Sequence, residues 1–456
     1  MILTNNKIKA FLIFLLLIIV LFFTFFVPLD QTFYKETDYY RNTMTSLDSL
    51  SNVISNNKGD TLQIGWGKSS LVPSFITPLA GYGNRKGVPH LGIEDSVWVS
   101  AMVFDNGINR AAYISLDLLI VPPNLEIEKI VENLPIKKSQ IFFTASHTHS
   151  SIGGFLPSIV GNMFAGKYDD KILNFITVSI RKALMIAIND LEVAKVGFAK
   201  ISAENFIKNR LVGDSLGEKD SWIRLIKLEK KNDRHAILFS YSAHATCFSD
   251  KQLKISSDYP GRSISLLERL PNVEFAIYGA GSVGSMAPNI ELKQENDKVN
   301  AMAQGIVRKI VSILDSIPTF YQNELIVNRI NIQMRDPSFR LNKFISFRPW
   351  LFNYLVGKSS KYFSFLKLGN ILIIGTPSDF SGELARFLDE FASKKKINLI
   401  INSFNGGYVG YITKDQWYDK TDINTYETYT MNWFGPDNGN YFTEIIENII
   451  TINEKK

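Results

Sequence analysis

Two histidines lie two residues apart, directly after an apolar run. His147 and His149 occur in SHTHSSIGG, which follows IFFTA in a chain with five histidines. If the strand predicted for this run continues through residue 149, both imidazoles lie on one face. That face would stand at the end of a strand, where open α/β sheets place their sites. The spacing therefore suits a metal site, and a pair of buried structural histidines is the alternative.

Three further apolar runs end in residues that suit the same site. His244 ends FSYSAH, Asp379 follows IIGTPS, and Tyr408 and Tyr411 follow LIINSF. Imidazoles, a carboxylate and a phenol at strand ends fit a Zn²⁺ ion with three or four protein ligands and an open position for water. Taken singly, each residue more often has a structural role, as a buried histidine, a helix-capping aspartate or an aromatic side chain in a turn.

The elements that must position these residues alternate between strand-like and helix-like segments. We expect an α/β fold of the mixed α+β type, with mixed β-sheets flanked by helices. No internal repeat or linker follows residue 60, so residues 61–456 are predicted to form a single catalytic domain. The predicted strands are VWVSAMVF, AAYISLDLLIV, IFFTAS, AILFSYSAH, VEFAIYGAG, ILIIGTP and LIINSF, and the predicted helices cover 171–191, 259–270, 297–315, 382–394 and 439–452.

The N-terminus carries the longest apolar run. Residues 10–29 contain no charge and only Thr24 as a polar residue, which is long enough to span a bilayer. No small-residue cleavage site follows, so we expect an uncleaved transmembrane signal anchor rather than a signal peptide. A buried core helix is the alternative. Lysines before the run predict that residues 1–9 are cytoplasmic and that the rest is periplasmic or extracellular. Residues 30–60 are polar and are predicted to be a stalk.

Composition narrows the class of protein. The chain has 456 residues, 45% of them apolar and 21% charged, with a net charge of +6, which is typical of a globular protein. The single cysteine, Cys247, excludes an internal disulfide and cysteine-rich zinc modules. No basic block reaches the density of a nucleic-acid-binding tail, so we expect no nucleic-acid partner.

Residues 340–367 interleave aromatic side chains with lysines and arginines. Such a pattern is typical of a segment in a membrane interface, where aromatic rings lie at headgroup depth and cations attract anionic lipid. We predict that this segment helps a lipid leave the bilayer. A core helix with snorkelling lysines is the alternative.

The motifs, in this order, resemble the neutral (non-lysosomal) ceramidase family over roughly residues 62–450. PLAGYGNRKG, GIEDSVWVSAMVF and AAYISLDLL resemble its opening turn and two strands, SHTHSSIGG resembles THTHSGPGG, and SAHAT matches its strand-ending histidine. KNRLVGD resembles its Asn-Arg-Ser segment. GSMAPN, PSDF, GYVGYITKDQWY and YETYTMNWFGP lie where the family has GDVSPN, PGEF and its tyrosine-containing closing motifs.

Together with the anchor predicted from residues 10–29, the resemblance implies a membrane-anchored amidase with one zinc ion per chain that cleaves the N-acyl bond of ceramide-like lipids. It implies a lipid substrate and a membrane surface as partners, and no protein partner. His149 and Arg210 would be catalytic, near the reacting amide and near the headgroup or tetrahedral oxygen. The implied zinc ligands are His147, His244, Asp379 and Tyr411. Candidates for orienting them or lining the pocket are Asp117, Tyr82, Tyr408 and Asn289.

Three departures from the family pattern leave alternatives open. Asp379 stands where the family has Glu, and Ala287 stands where it has a catalytic serine. Ser285 would supply the missing hydroxyl, or zinc-activated water would act with His149. Ser285 or Ser282 as a nucleophile competes with a glycine-rich turn that only lets the backbone approach the site. The family's C-terminal immunoglobulin-like domain is expected to be missing. The alternative functions are a zinc hydrolase of another amide or ester, and an inactive lipid-binding relative.

Overall fold

The computed structural model describes residues 5–51, 57–231 and 233–454. The helices in these residues are α1 (Asn5–Phe25), α2 (Asp38–Ser51), α3 (Ile127–Val131), α4 (Ile159–Ala165), α5 (Asp170–Asn189), α6 (Asp258–Leu267), α7 (Glu295–Leu314), α8 (Pro349–Val356), α9 (Gly382–Lys394) and α10 (Asn438–Ile452). The strands are β1 (Phe26–Pro28), β2 (Gln63–Ser70), β3 (Trp98–Asp105), β4 (Arg110–Leu116), β5 (Ile141–Ala145), β6 (Glu192–Ser202), β7 (Ile207–Asn209), β8 (Trp222–Lys230), β9 (His235–Tyr241), β10 (Val273–Ala280), β11 (Met286–Pro288), β12 (Phe320–Tyr321), β13 (Leu325–Asn331), β14 (Ile345–Phe347), β15 (Tyr362–Leu368), β16 (Ile371–Gly375), β17 (Asp379–Phe380), β18 (Asn398–Asn402) and β19 (Tyr411–Ile412).

Two mixed sheets form the body of the molecule. The larger sheet has the order β10-β9-β8-β6-β2-β3-β4-β5, with β12 paired to β6. Most of its pairs are antiparallel, and β4 with β5 and β9 with β10 are parallel. The smaller sheet has the order β13-β15-β16-β18 and contains one parallel pair, β16 with β18. The predicted α/β class with mixed sheets and flanking helices is therefore confirmed.

The sheets pack face to face, and each carries helices on its outer face. In β4, Tyr113 faces the core between the sheets, whereas its neighbours Ala112 and Ile114 face the core under α5, α6 and α7. In β16, Ile373 faces the shared core and Ile374 faces the core under α9 and α10. This alternation is the period of a strand that is buried on both faces. The result is four layers, in the order helix, sheet, sheet, helix.

The larger sheet curls, so that its two edge strands approach each other. The Ser115 hydroxyl on β4 donates a hydrogen bond to the Tyr278 carbonyl on β10. The ends of β5 and β9 therefore come close together, although many strands separate them in the order of the sheet. His147 follows β5 and His244 follows β9, so the curl brings their loops to one place.

The five predicted helices are all present, with boundaries shifted by a few residues. The longest of them, α5, shows why the pattern is readable. Its buried positions Ile172, Ile176 and Ile180 recur every four residues, and the Asp169 side chain caps its first turn. The apolar stripe of a long helix that packs on a sheet gives a strong periodic pattern, which can be recognised in a single sequence.

The N-terminal apolar segment differs from the predicted span of 10–29. Helix α1 ends at Phe25, because the next three residues form β1 and pair with β14. Within α1, residues Lys7–Phe25 have a mean hydropathy of 2.9 and none of that window is buried, which fits a membrane anchor or a signal sequence. The other long apolar helix, α5, packs in the core.

The predicted stalk over residues 30–60 is partly wrong. Residues 38–51 form α2, and Leu47 and Leu50 are buried in the same core as α10. The Tyr441 hydroxyl on α10 donates a hydrogen bond to Thr43 at 2.9 Å. A polar helix with one apolar stripe has the composition of a stalk but packs as part of the domain. Residues 52–56 lie outside the described part of the chain.

Candidate metal centre

The His147–His149 segment is a bend and not a continuation of β5. The strand ends at Ala145, and His147 adopts a left-handed backbone with φ of +60°. The expectation of an extended strand through residue 149 is therefore wrong. The two imidazoles converge nonetheless, with 3.2 Å between their Nε2 atoms. The His147 ring also stacks on Phe404, with 4.0 Å between the ring centroids.

Backbone carbonyls fix the tautomers of His147 and His244. The Nδ1 of His147 lies 2.6 Å from the Leu119 carbonyl oxygen. The Nδ1 of His244 lies 2.7 Å from the carbonyl oxygen of Val283 and 3.0 Å from that of Met286. A carbonyl only accepts, so each Nδ1 carries the proton and each Nε2 presents a lone pair. Metal-binding histidines are oriented in this way.

Several donor atoms converge on one point. The ligand nitrogens of His147, His149 and His244 all lie within 4.8 Å of one another. The Asp379 Oδ1 atom lies 3.4 Å from His147 Nε2 and 3.3 Å from His244 Nε2. This oxygen is buried and has no hydrogen-bond partner in the described residues. An unpaired carboxylate oxygen among imidazole lone pairs is the donor set that a cation would complete, so the residues fit a zinc ion.

A pair of two-residue strands holds Asp379 beside Tyr411. Strands β17 and β19 are parallel, and Asp379 is directly opposite Tyr411 in their register. The Tyr411 hydroxyl lies 3.2 Å from His244 Nε2. The Tyr408 hydroxyl donates to the other carboxylate oxygen of Asp379 at 2.6 Å. The four predicted ligands thus lie together, with Tyr408 orienting the carboxylate.

Burial determines the protonation of the histidines and of the phenol. It lowers the pKa of His147 to about 3 and the pKa values of His149 and His244 well below the ordinary range. All three are therefore neutral at pH 7, the form that binds metal. Burial also raises the pKa of Tyr411 well above 10. Tyr411 is thus a neutral hydroxyl in the protein alone, and a metal that binds it as phenolate must displace its proton.

Arg210 is held at this centre by a carboxylate that the sequence analysis did not single out. Its Nε donates to Glu427 at 2.7 Å, and its Nη2 donates to the Tyr411 hydroxyl at 2.9 Å. The other oxygen of Glu427 accepts a hydrogen bond from Ser285 at 3.0 Å. Glu427 belongs to the motif YETYTMNWFGP, which was the available signal for it.

Ser285 is buried behind Glu427. Its hydroxyl donates to that carboxylate and accepts a hydrogen bond from Ser381 at 3.0 Å. Its left-handed backbone, with φ of +65°, also differs from the extended segment assumed for it. The geometry is that of a residue that positions Glu427.

Tyr82 and Arg85 form the support beneath His149. The Tyr82 ring centroid lies 4.9 Å from the His149 ring, and its hydroxyl donates to the Phe248 carbonyl at 2.7 Å. The buried Arg85 guanidinium donates to the backbone carbonyls of His149 and Ala80. Arg85 fixes the bend that carries both histidines. Arg85 belongs to the motif GYGNRKG, from which no role for the arginine is predicted.

Two candidates lie away from the centre. Asp117 accepts a hydrogen bond from the Trp98 backbone at 2.9 Å instead of orienting an imidazole, and burial raises its pKa to about 7. The Asn289 amide donates to the Asn205 carbonyl at 3.4 Å. Carbonyl groups take the place predicted for Asp117, because both histidines lie in tight loops where backbone oxygens are closest.

A cavity of about 580 Å³ opens onto the centre. Its wall includes His147, His149 and Asp379 together with apolar residues of α4 and α8. The volume is in the range of small-molecule sites, and such a wall suits a ligand with hydrocarbon chains. The apolar lining includes Leu156, Val160, Phe164, Phe352, Val356, Trp433 and Phe434.

Known ceramidases share a sequence pattern and a fold with this chain. The family described as neutral/alkaline non-lysosomal ceramidase, N-terminal, matches residues 63–305. A crystal structure of neutral ceramidase from Pseudomonas aeruginosa superposes with a TM-score of 0.70 and 15% identity, over 88% of this chain and 74% of that one. A structure of a ceramidase complexed with C2 gives a TM-score of 0.73 and 15% identity, over 88% and 75% of the chains. The family match covers more than half of the chain, and the superpositions establish the fold.

Proposed function

The chain belongs to the neutral/alkaline non-lysosomal ceramidase family, and from that premise we propose that it is a zinc-dependent, membrane-anchored amidase that hydrolyses the N-acyl bond of ceramide-like lipids. The observation that carries the proposal is the convergence of imidazole nitrogens and an unpaired Asp379 oxygen beside a cavity with apolar walls. The donor set supports hydrolytic chemistry, and the cavity supports a lipid substrate.

The proposed zinc ligands are His147, His244, Asp379 and Tyr411. Zinc bound there would supply a Lewis acid that activates water and polarises the amide carbonyl. The three-histidine set that includes His149 is the competing assignment. We favour His149 as the proton carrier, because its Nδ1 lies buried without a hydrogen-bond partner in the described residues. Its imidazole is neutral and thus able to accept a proton and pass it to the leaving amine.

Arg210 is the proposed oxyanion stabiliser. Its guanidinium is permanently charged and is fixed by Glu427, so it needs little reorganisation when negative charge develops nearby. Glu427 takes the Nε side of the guanidinium, and Nη2 lies among the proposed zinc ligands. A cation beside the proposed zinc ligands supports acyl transfer through a tetrahedral intermediate.

The proposal is tested with the full chain in detergent. Metal content is measured by elemental analysis, and fatty acid release from a fluorescent N-acylsphingosine is followed with and without chelator. His147→Ala and His244→Gln are expected to lose both metal and turnover, because each removes an oriented Nε2 ligand. His235→Gln is the matched control, since His235 is at the opposite end of β9 from the His244 loop. Full turnover without metal contradicts the proposal.

Hydrolysis of a different substrate is the second candidate function, and Ala287 favours it. The family serine is absent at this position, and the buried Ser285 hydroxyl binds Glu427. The same centre would then hydrolyse a different amide or an ester. A panel of N-acyl lipids, short amides and esters separates the candidates: chelator-sensitive turnover of only the non-sphingoid substrates supports the second candidate. Metal without turnover of any substrate favours a lipid-binding protein.

We also propose that α1 anchors the protein, with residues 1–9 cytoplasmic and the catalytic domain periplasmic or extracellular. The support is the exposed apolar surface of α1 and the two lysines that precede its apolar part. A cysteine-accessibility assay with an impermeant thiol reagent on intact cells tests the orientation, after a cysteine is placed at the exposed position Ser360.

A further inference from the structure

The end of the apolar helix α1 is fastened to the segment that begins at residue 341. Strand β1 follows α1 directly and pairs with β14, with Phe26 opposite Phe347. The Leu29 amide donates to the Phe344 carbonyl at 2.7 Å, and the Arg348 amide donates to the Phe25 carbonyl at 2.8 Å. These bonds form a short antiparallel ladder, so the helix does not leave the domain on a free linker.

Helix α8 extends this contact. The Trp350 indole donates to the Thr24 carbonyl at 2.9 Å, and its ring centroid lies 5.4 Å from that of Phe25. The Arg348 side chain donates to the Phe23 carbonyl at 2.6 Å. Both side chains thus bind carbonyls in the last turn of α1, which have no partner within the helix. The orientation of α8 relative to α1 is fixed by these contacts.

One surface of this unit is apolar, aromatic and cationic. Phe344, Trp350 and Tyr354 are 63%, 46% and 69% exposed, and Lys343 and Lys358 are exposed among them. We name these five residues the interfacial surface. It is continuous with α1, whose apolar side chains are also exposed. Exposed aromatic rings beside cations, next to the end of a bilayer-length apolar helix, match the headgroup layer of a membrane.

Helix α8 also forms part of the cavity wall. Phe352, Asn353 and Val356 line the cavity, and Lys358 follows at its rim. Helix α4 also lines the cavity, with Val160 and Phe164, and it contacts α8. The same short helix therefore carries the interfacial surface and a wall of the cavity, so a bilayer on that surface lies beside the opening.

We propose that the interfacial surface docks on the lipid bilayer that holds α1, and thereby keeps the cavity open toward the headgroup layer. The occupant is a phospholipid membrane with anionic headgroups. The docking rests on the anchoring proposed above for α1, and the role in substrate delivery rests on the proposed hydrolysis as well. A lipid substrate then moves from the bilayer between α4 and α8 without crossing bulk water.

Quenching of tryptophan fluorescence by brominated lipids tests the docking without any substrate. The full chain is reconstituted in phosphatidylcholine and phosphatidylglycerol liposomes that carry bromine either near the headgroups or near the acyl chain ends. Comparison with Trp350→Phe isolates the signal of this tryptophan. We expect the Trp350 signal to be quenched at least twofold more by the shallow bromines. A Trp350 signal that neither lipid quenches overturns the proposal.

A pair of double variants tests the delivery. Phe344→Asp with Tyr354→Asp places two charges on the interfacial surface. Phe320→Asp with Tyr321→Asp is the matched control, because these residues are 62% and 59% exposed on β12, in the larger sheet. We expect the first pair to lower turnover of an N-acylsphingosine in liposomes about tenfold, with turnover in detergent micelles unchanged, and the control pair to change neither. Equal liposome turnover in both pairs overturns the delivery.

Failure of the proposed function is distinguishable from failure of the docking. If no N-acyl lipid is hydrolysed in micelles, the function fails, and the quenching of Trp350 still decides the docking. If micellar turnover is present and Trp350 is not quenched, the docking fails alone.

Discussion

At the scale of single residues, Glu427 links the candidate metal centre to the core. It is fully buried, and it binds Arg210 with one oxygen and Ser285 with the other. Burial raises the pKa of this carboxyl group and Arg210 opposes that effect. A buried carboxylate beside a guanidinium forms a short, charge-assisted hydrogen bond, so the position of Arg210 depends on it.

Glu427→Gln should lower kcat about tenfold to a hundredfold while zinc stays bound, because it weakens the orientation of Arg210 but leaves the ligands intact. Steady-state kinetics and elemental analysis on the same preparation measure both effects. Ser285→Ala removes one hydrogen bond from an uncharged hydroxyl to the same carboxylate and leaves the contact of Glu427 with Arg210 in place. It should therefore lower kcat less than Glu427→Gln does, by about tenfold at most. If Ser285→Ala abolishes turnover as completely as loss of a nucleophile would, the positioning role is refuted.

The sequence predicts which residues lie at the strand ends, but it does not predict the hydrogen-bond partners of those residues. His147, His244, Asp379 and Tyr411 each follow an apolar run, which is a local signal. The partners of the histidine Nδ1 atoms are backbone carbonyls, which no side-chain pattern reveals. The orienting role predicted for Asp117 therefore belongs to the Leu119 carbonyl.

At the scale of elements, two very short strands do the final positioning. Strands β17 and β19 contain two residues each, too few for any periodic pattern, and they place Asp379 beside Tyr411. The Asp379 amide donates to the Gly410 carbonyl at 3.0 Å. Gly410 has a φ of +82°, and a Cβ there would lie 2.1 Å from the Met431 carbonyl oxygen. The strand pair therefore depends on a glycine at this turn.

Gly410→Ala should lower the zinc affinity at least tenfold and the melting temperature by several degrees, because the β17–β19 pair must open to admit the methyl group. Gly213→Ala is the control: its φ is +78°, but nothing lies within 4 Å of the added carbon. The control should lower the free energy of unfolding by only about 1–2 kcal/mol, which is the strain of a left-handed backbone. Its zinc binding should be unchanged. Thermal melts with and without zinc separate the two. Equal effects on zinc binding would show that crowding at Gly410 is irrelevant.

The long elements were predictable because each carries its own period. Helix α5 and strands such as β4 were found from their local patterns, although β4 is apolar on both faces. The curl that brings β5 and β10 together is not predictable from the sequence. It depends on contacts between residues far apart in the chain, such as that of Ser115 with Tyr278. For α8, the sequence pattern predicts only an aromatic and basic segment. Eight residues form too few helical turns for the pattern to distinguish a surface helix from a core helix.

At the scale of the whole molecule, the boundary of the domain lies before α2. Tyr34, Leu47 and Leu50 are buried in the core beneath α9 and α10. The Tyr34 hydroxyl also donates to Glu444 on α10 at 2.8 Å. The segment predicted as a stalk is polar on its outer face only, so composition alone misassigned it. The domain that carries the candidate metal centre therefore uses residues on both sides of residues 52–56, which lie outside the described part of the chain.

Two truncations test this boundary. Removal of residues 1–29 should leave the melting temperature of the domain nearly unchanged, because none of the described residues of that segment belongs to the three cores. Removal of residues 1–56 also deletes Tyr34, Leu47 and Leu50, each worth about 1.5–3 kcal/mol when fully buried. It exposes the apolar face of α10 as well. We expect the longer deletion to lower the melting temperature by about 5–10 °C, because several kcal/mol of unfolding free energy are lost and each kcal/mol shifts the melting temperature of a domain of this size by about 1 °C. The longer deletion should also bind a hydrophobic dye that the shorter deletion does not bind. Identical melting of the two variants would mean that α2 contributes nothing to the domain and that a stalk is the right description.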